Sequence, residues 1–287
     1  LFPNNKIDLN IFMNKVSKIL FGIKNAEYRN TNIQNFYEKD FIVLNSTSGR
    51  HRAFNTVLHV KSLHVFMMKK INNPDETETQ HEINFCKNFT HRCLTKFYGF
   101  VMTEKKSEED QNKIIGFIYE FMCNDSLKSY FTTSNKNNVI NDFSKMMIII
   151  RIFQGIKYLH EHELIHRDLQ PSNILIDHDY LPYISDFETI RLTSDESTMT
   201  YNIGSDLYAS PEQHCGGPVS YATDIYSFGR LICFIYSNGI TSQFNEIDAK
   251  IKNIPSNIQE IITKCIEREP SRRFSKDEIE LKIIDEM

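Results

Sequence analysis

A change of hydrophobic period near residues 121–123 limits the fold of this chain more than any other feature. Before it, apolar residues come in short strand-like runs: Phe41 to Leu44, Thr56 to Val60 and Leu63 to Met68, then Leu94 to Met102 and Ile114 to Phe121. One helical stretch interrupts them, with Ile83, Cys86 and Phe89 at helical spacing behind Glu82. After it, stripes of period 3.6 take over. Ile149, Phe153, Ile156 and Leu159 form one, and Ile225, Phe228, Ile232 and Ile235 form another. Ser256 with Gln259 reads as a capping box ahead of Ile258, Ile261, Ile262 and Cys265. The expectation is an α+β chain: an N-terminal extension over 1–37, a small strand-rich half with one helix over 38–121, and a larger helical half over 122–287. The extension has no assigned role.

Composition excludes several classes. Hydrophobic residues are 40% and charged residues 24%, the balance of an ordinary globular protein rather than a disordered tail. The net charge of −4 carries no basic footprint, so no nucleic-acid partner is expected. The longest apolar runs, such as Met146 to Ile150, stop at a charge well short of the ~20 residues of a membrane helix. The first residues lack the pattern of a signal peptide, and the missing initiator Met reads as a fragment. Six scattered cysteines with no C-x-x-C pair suggest reduced thiols in a cytoplasmic protein.

The chemistry concentrates in Ile165-His166-Arg167-Asp168-Leu169-Gln170-Pro171-Ser172-Asn173-Ile174-Leu175, followed by Asp186-Phe187-Glu188. An Asp, an Asn five residues on and a second Asp thirteen beyond that place three oxygen groups around one point. Metal-assisted phosphoryl transfer needs such a set. Asp168 would orient an acceptor hydroxyl, while Asn173 and Asp186 would hold Mg2+.

Over residues 38 to 287 the chain resembles a eukaryotic protein kinase domain, with a Tyr-Ser-Phe-Gly string at 226–229 that leans toward the tyrosine-kinase-like group. Ser210-Pro211-Glu212 resembles the end of the activation segment. Glu269-Pro270-Ser271-Arg272-Arg273 resembles the late arginine motif, which implies that Arg273 pairs with Glu212. The same resemblance implies a two-lobed fold, ATP and Mg2+ as cofactors, a protein Ser/Thr hydroxyl as acceptor and a protein substrate as partner. It makes Lys69 the phosphate ligand and Glu82 the residue that orients it. It assigns the adenine-facing backbone to Glu120 and Met122, and it puts Tyr119 at the gatekeeper position behind the adenine.

Three departures set this chain apart from the family pattern. Of the three glycine-loop positions, Thr47, Gly49 and Arg52, only Gly49 is glycine. Gly49 is expected to approach the phosphates with its backbone, and Arg52 to replace lost contacts with its guanidinium. Gln170 replaces a lysine that steadies the transferred phosphoryl group. Losing that charge costs roughly 3 kcal/mol, on the order of a hundredfold in rate. Glu188 replaces the glycine after Asp186-Phe187. These departures keep open a pseudokinase reading, in which the fold serves as a binding or scaffold module. A small-molecule kinase of related fold is disfavoured by Glu212 and Arg273. Thr200, then Thr198, are the expected phosphorylation sites of the activation segment.

Overall fold

In a computed structural model, the structure describes residues 33–48, 53–71, 77–104, 112–133, 140–194, 207–240 and 254–284. These fall into two compact units. One comprises the chain up to Thr90 with Thr95–Asp125 and Ile176–Tyr180. The other comprises His91–Leu94, Ser126–Leu175 and the chain from Leu181 onward.

The first unit is built on a six-stranded sheet. Its strands are β1 (Gln34–Tyr37), β2 (Phe41–Ser48), β3 (Ala53–His59), β4 (Val65–Lys70), β5 (Phe97–Met102) and β6 (Ile114–Glu120), in the order β1-β5-β6-β4-β3-β2. The sequence runs from 41 to 121 match the strands closely, because alternating apolar residues across a pleat are a local signal. Antiparallel pairing joins β2 to β3, β3 to β4, β4 to β6 and β5 to β6.

β1 is the addition. Residues 34–37 of the expected extension are a strand, paired in parallel with β5 from Gln34↔Gly99 to Tyr37↔Met102. Phe36 is 3% exposed and joins Phe41, Val57, Phe66, Met68, Val101 and Ile118 in one apolar layer. Gly99 makes this possible. A Cβ there would strike the Gln34 carbonyl oxygen and come within 2.9 Å of the Phe36 ring. Helix α1 (Thr77–Asn88) covers the opposite face, with Cys86 against Tyr119 and Lys87 over the Phe100 ring.

The second unit is helical. Its elements are α2 (Leu127–Thr133), α3 (Asp142–Glu161), α4 (Pro211–His214), α5 (Tyr221–Tyr236), α6 (Ser256–Cys265) and α7 (Lys276–Ile284). Between α3 and α4 run four short strands, β7 (Leu164–Ile165), β8 (Ile174–Ile176), β9 (Pro182–Ile184) and β10 (Arg191–Leu192), paired β7 with β10 and β8 with β9. The expected stripes bury as predicted: Ile149, Phe153, Ile156 and Leu159 on α3, and Ile225, Phe228, Ile232 and Ile235 on α5. Asn141 caps α3 by accepting from the Ser144 N–H at 2.8 Å. Ser256 differs from expectation. It is the first residue of α6 behind Pro255, and Gln259 turns its amide to the Ile254 carbonyl at 2.6 Å instead of closing a capping box.

No helix among the described residues is long and apolar enough to cross a membrane.

Candidate active site

Each unit carries one half of the candidate chemistry, built by different means. In the helical unit a short loop after β7 is pulled into shape from below. Asp224, in the first turn of α5, is fully buried. Its carboxylate accepts the backbone N–H groups of His166 and Arg167, both at 2.9 Å, and lies 3.0 Å from His160 Nε2. Burial alone would raise its pKa. The hydrogen bonds from His160 and from the Arg167 N–H hold the carboxyl below its usual value instead. The carboxylate thus serves as a fixed anion that replaces two missing backbone partners. Two residues of this region have left-handed backbones, Arg167 with φ 73° and Asp186 with φ 66°. Such conformations in non-glycine residues cost energy and persist only where the surroundings enforce them.

On this frame sits Asp168. Asn173 Nδ2 donates to both its carbonyl and its Oδ2, each at 2.8 Å. Asn173 is held in turn: its carbonyl accepts from the Ser185 N–H and hydroxyl, both at 2.9 Å. That links the Asp168 loop directly to the residue before Asp186. Burial, and after it the charge of Asp186, push the Asp168 carboxyl above its usual value; donors from Gln170 and Asn173 oppose the rise. Two half-buried carboxylates that repel each other suit a divalent cation, which replaces repulsion with attraction. Both contacts of Asn173 to Asp168 use Nδ2, so Oδ1 remains as its ligand atom. Asp186 and Asn173 therefore fit Mg2+ by donor type, all hard oxygen.

The end of the segment is fastened separately. Gln213 donates to the Arg167 carbonyl at 2.8 Å and accepts from the Ser210 N–H at 2.9 Å. Arg273 grips Glu212 with two parallel bonds, Nη1 to Oε1 at 2.7 Å and Nη2 to Oε2 at 2.8 Å. Its side chain is wholly buried. Glu212 sits below its usual pKa although burial alone would raise it, because the guanidinium hydrogen-bonds it.

In the sheet unit Lys69, on β4, meets Glu82, on α1, at 2.6 Å with both side chains buried. The second oxygen of Glu82 is also engaged, since the Tyr119 hydroxyl donates to Oε1 at 2.7 Å. Cys86, one turn beyond Glu82, lies 3.1 Å from the same hydroxyl. Tyr119 gives its proton to the carboxylate, so the thiol is the donor in that contact. Burial pushes both the Tyr119 hydroxyl and the Cys86 thiol up, which keeps both protonated. Glu120 follows on the same strand, its N–H donating to the Lys96 carbonyl at 2.9 Å and its carboxyl raised by burial. Met122 is 4% exposed and its carbonyl accepts from the Asp125 N–H.

The structure thus brings Lys69 to Glu82, Asn173 and Gln170 to Asp168, and Arg273 to Glu212. Gly49, Arg52, Thr198 and Thr200 lie outside the described residues. Three contributions were missed from sequence: the Asp224 carboxylate, the Tyr119 hydroxyl and the use to which Gln170 is put. Asp224 had a signal, an acidic residue at the start of a strongly apolar helix that is buried on nearly every side.

Residues 48–282 match the family model of the protein kinase domain. The chain belongs to the protein kinase domain family. Its fold is the two-lobed α+β fold of that family, and protein kinases use ATP and Mg2+. Among curated relatives, a G-type lectin S-receptor-like serine/threonine-protein kinase of Arabidopsis thaliana is 35% identical over 61% of this chain and 20% of its own length. Cysteine-rich receptor-like protein kinase 18 of the same plant is 33% identical over 65% of this chain and 28% of its own. Cysteine-rich receptor-like protein kinase 21 is 29% identical over 74% and 31%. The chain therefore spans about a third or less of the length of these relatives. All three are named as receptor-like kinases and the first as a serine/threonine kinase, which agrees with the tyrosine-kinase-like leaning of the Tyr226-Ser227-Phe228-Gly229 string.

Proposed function

We propose that this chain is a catalytically active, ATP-dependent Ser/Thr protein kinase. The observation that carries the reading is the half-buried Asp168 carboxylate, held by Asn173 at 2.8 Å and raised above its usual pKa by burial and by the charge of Asp186. A chain that only binds nucleotide has no need to keep two repelling carboxylates in such a place. Mg-ATP supplies the transferable phosphoryl group. Asp168 orients the acceptor hydroxyl and takes its proton. Asp186 and Asn173 Oδ1 hold the Mg2+ ion. Lys69 takes the α- and β-phosphates, kept in position by Glu82, while Glu120 and Met122 offer backbone groups to the adenine. Gly49 and Arg52 complete the assignment on the glycine-loop side.

The natural acceptor is a Ser or Thr on a protein, by analogy with the relative named as a serine/threonine-protein kinase. A cytoplasmic setting is supported by the six scattered cysteines with no C-x-x-C pair, which suit a reducing compartment. The test is phosphoryl transfer from Mg-ATP to a generic protein acceptor, with Lys69→Met and Asp168→Asn as controls. Transfer in the native chain and loss in both controls supports the reading. Equal background in all three removes it.

A further inference from the structure

Gln170 stands where the kinase resemblance puts a lysine. A free lysine at that place would reach for phosphate, but the glutamine side chain turns back. Its Nε2 lies 2.9 Å from Asp168 Oδ1 and 3.0 Å from Oδ2. A carboxylate only accepts, so the nitrogen end of the amide must face it. The backbone at this point is itself fixed. Gln170 is extended at φ −152° and ψ 162°, its carbonyl accepts the Asn173 N–H at 2.9 Å, and Pro171 follows directly.

The count of donors then separates the two carboxylate oxygens. Oδ2 accepts from both Gln170 and Asn173. Among the described residues, Oδ1 accepts from Gln170 alone. Each carboxylate oxygen has about two lone-pair directions. Oδ2 is filled, and Oδ1 has one left. One amide group bridging both oxygens also fixes the plane of the carboxylate, which a single donor would leave free to rotate.

We propose that Gln170 is a positioning residue for Asp168: its amide, together with Asn173, sets the carboxylate so that Oδ1 faces the acceptor hydroxyl. Gln170 does not stand in for a phosphate-binding cation. This rests on the kinase reading above. In the transfer step the acceptor hydroxyl loses its proton to Oδ1 as its oxygen bonds to the γ-phosphorus. The bond to the leaving nucleoside diphosphate breaks, and its electron pair stays on the diphosphate.

The test compares Gln170→Met, similar in length but without a donor, with Gln170→Lys, which keeps a donor. Both are made in the full chain, and folding is checked by circular dichroism. With Mg-ATP and a generic protein acceptor, Gln170→Met should lower kcat roughly tenfold, the scale of losing a hydrogen bond to a charged group, and leave KM for ATP within about twofold. Gln170→Lys should recover most of the lost kcat. An unchanged kcat in Gln170→Met overturns the proposal. So does a raised KM for ATP at unchanged kcat, which would put the amide on the nucleotide.

A second readout needs no turnover. In 15N-labelled protein without nucleotide, the side-chain amide protons of Gln170 should exchange slowly. Asp168→Leu should shift them and speed their exchange; unchanged signals overturn the contact. If the native chain shows turnover and Gln170→Met is indifferent, this inference alone fails. If the native chain shows none above Asp168→Asn, the kinase reading fails and takes the catalytic role of Gln170 with it.

Discussion

Replacing Phe36 by Ala should destabilise the sheet unit severely, although Phe36 lies outside residues 48–282 that match the family. The ring is 3% exposed and packs against Phe41 at 5.3 Å, His59 at 5.5 Å and Phe66 at 6.3 Å between centroids. A buried Phe cut to Ala costs about 3–5 kcal/mol, because the lost transfer energy is joined by an unfilled cavity. At about 2–3 °C per kcal/mol for a domain of this size, that lowers the melting temperature by roughly 6–15 °C. Gly99→Ala should do similar damage by another route, since its new methyl meets the backbone of Gln34 and must push β1 off the edge. Both changes destroy one seat, so the double mutant should lose much less than the sum of the singles. Differential scanning calorimetry measures all three. Amide exchange along β5 should rise in each, since its outer edge loses its partner. Melting temperatures within about 1 °C of native for both single mutants would refute the claim that β1 is part of this core.

Tyr119→Phe keeps the ring but removes the donor from Glu82 Oε1, leaving that oxygen buried without it. Exchange of α1 amides should rise on the order of ten- to a hundredfold, the scale of one hydrogen bond to a charged group; native protection would show that the hydroxyl holds nothing. Arg273→Ala strands a Glu212 carboxylate that is little exposed and should cost about 3–5 kcal/mol, read by urea denaturation; a loss near zero would mean the pair is dispensable. His59 is packed among aromatic rings, and burial lowers its pKa below the usual histidine value. Above about pH 6.5 it is neutral whether folded or unfolded and has no effect; below that the unfolded chain takes the proton first, so stability falls as pH drops. Thermal melts from pH 8 to pH 5 should show a smaller fall in His59→Gln than in the native chain, and equal falls would refute the assignment.

Much of the fold was legible because its signals are local. The strands of residues 41–120 and the stripes of α3 and α5 each declare themselves within one window of sequence. The Lys69–Glu82 pair came from the kinase resemblance rather than from periodicity, and the structure closes it at 2.6 Å. β1 was not legible. Four residues, Gln34-Asn35-Phe36-Tyr37, carry almost no period, and their partner lies more than sixty positions downstream at Gly99 to Met102. Only the missing side chain of Gly99 hints at something pressing on it. The role of Asp224 was hidden for a related reason. A carboxylate at the start of a helix reads as a dipole partner, whereas here it serves backbone groups 57 and 58 residues away. By comparison with the family's lysine, Gln170 reads in the sequence as a lost charge. Its actual partner, two residues back, depends on the extended backbone at 170 and the left-handed turn at Arg167, and neither is written in residue types.

The pseudokinase reading rested on the departures at the glycine loop, Gln170 and Glu188. Of these, Gln170 no longer counts as a plain loss, since its amide is bound to the Asp168 carboxylate. The most direct measurement is therefore turnover itself. Purified chain is incubated with Mg-ATP and a generic Ser/Thr protein acceptor, beside an Asp168→Asn variant of matched folding. The account predicts phosphate on Ser or Thr in the native chain, and a fall of at least about a hundredfold in the variant. The same low background in both would contradict it.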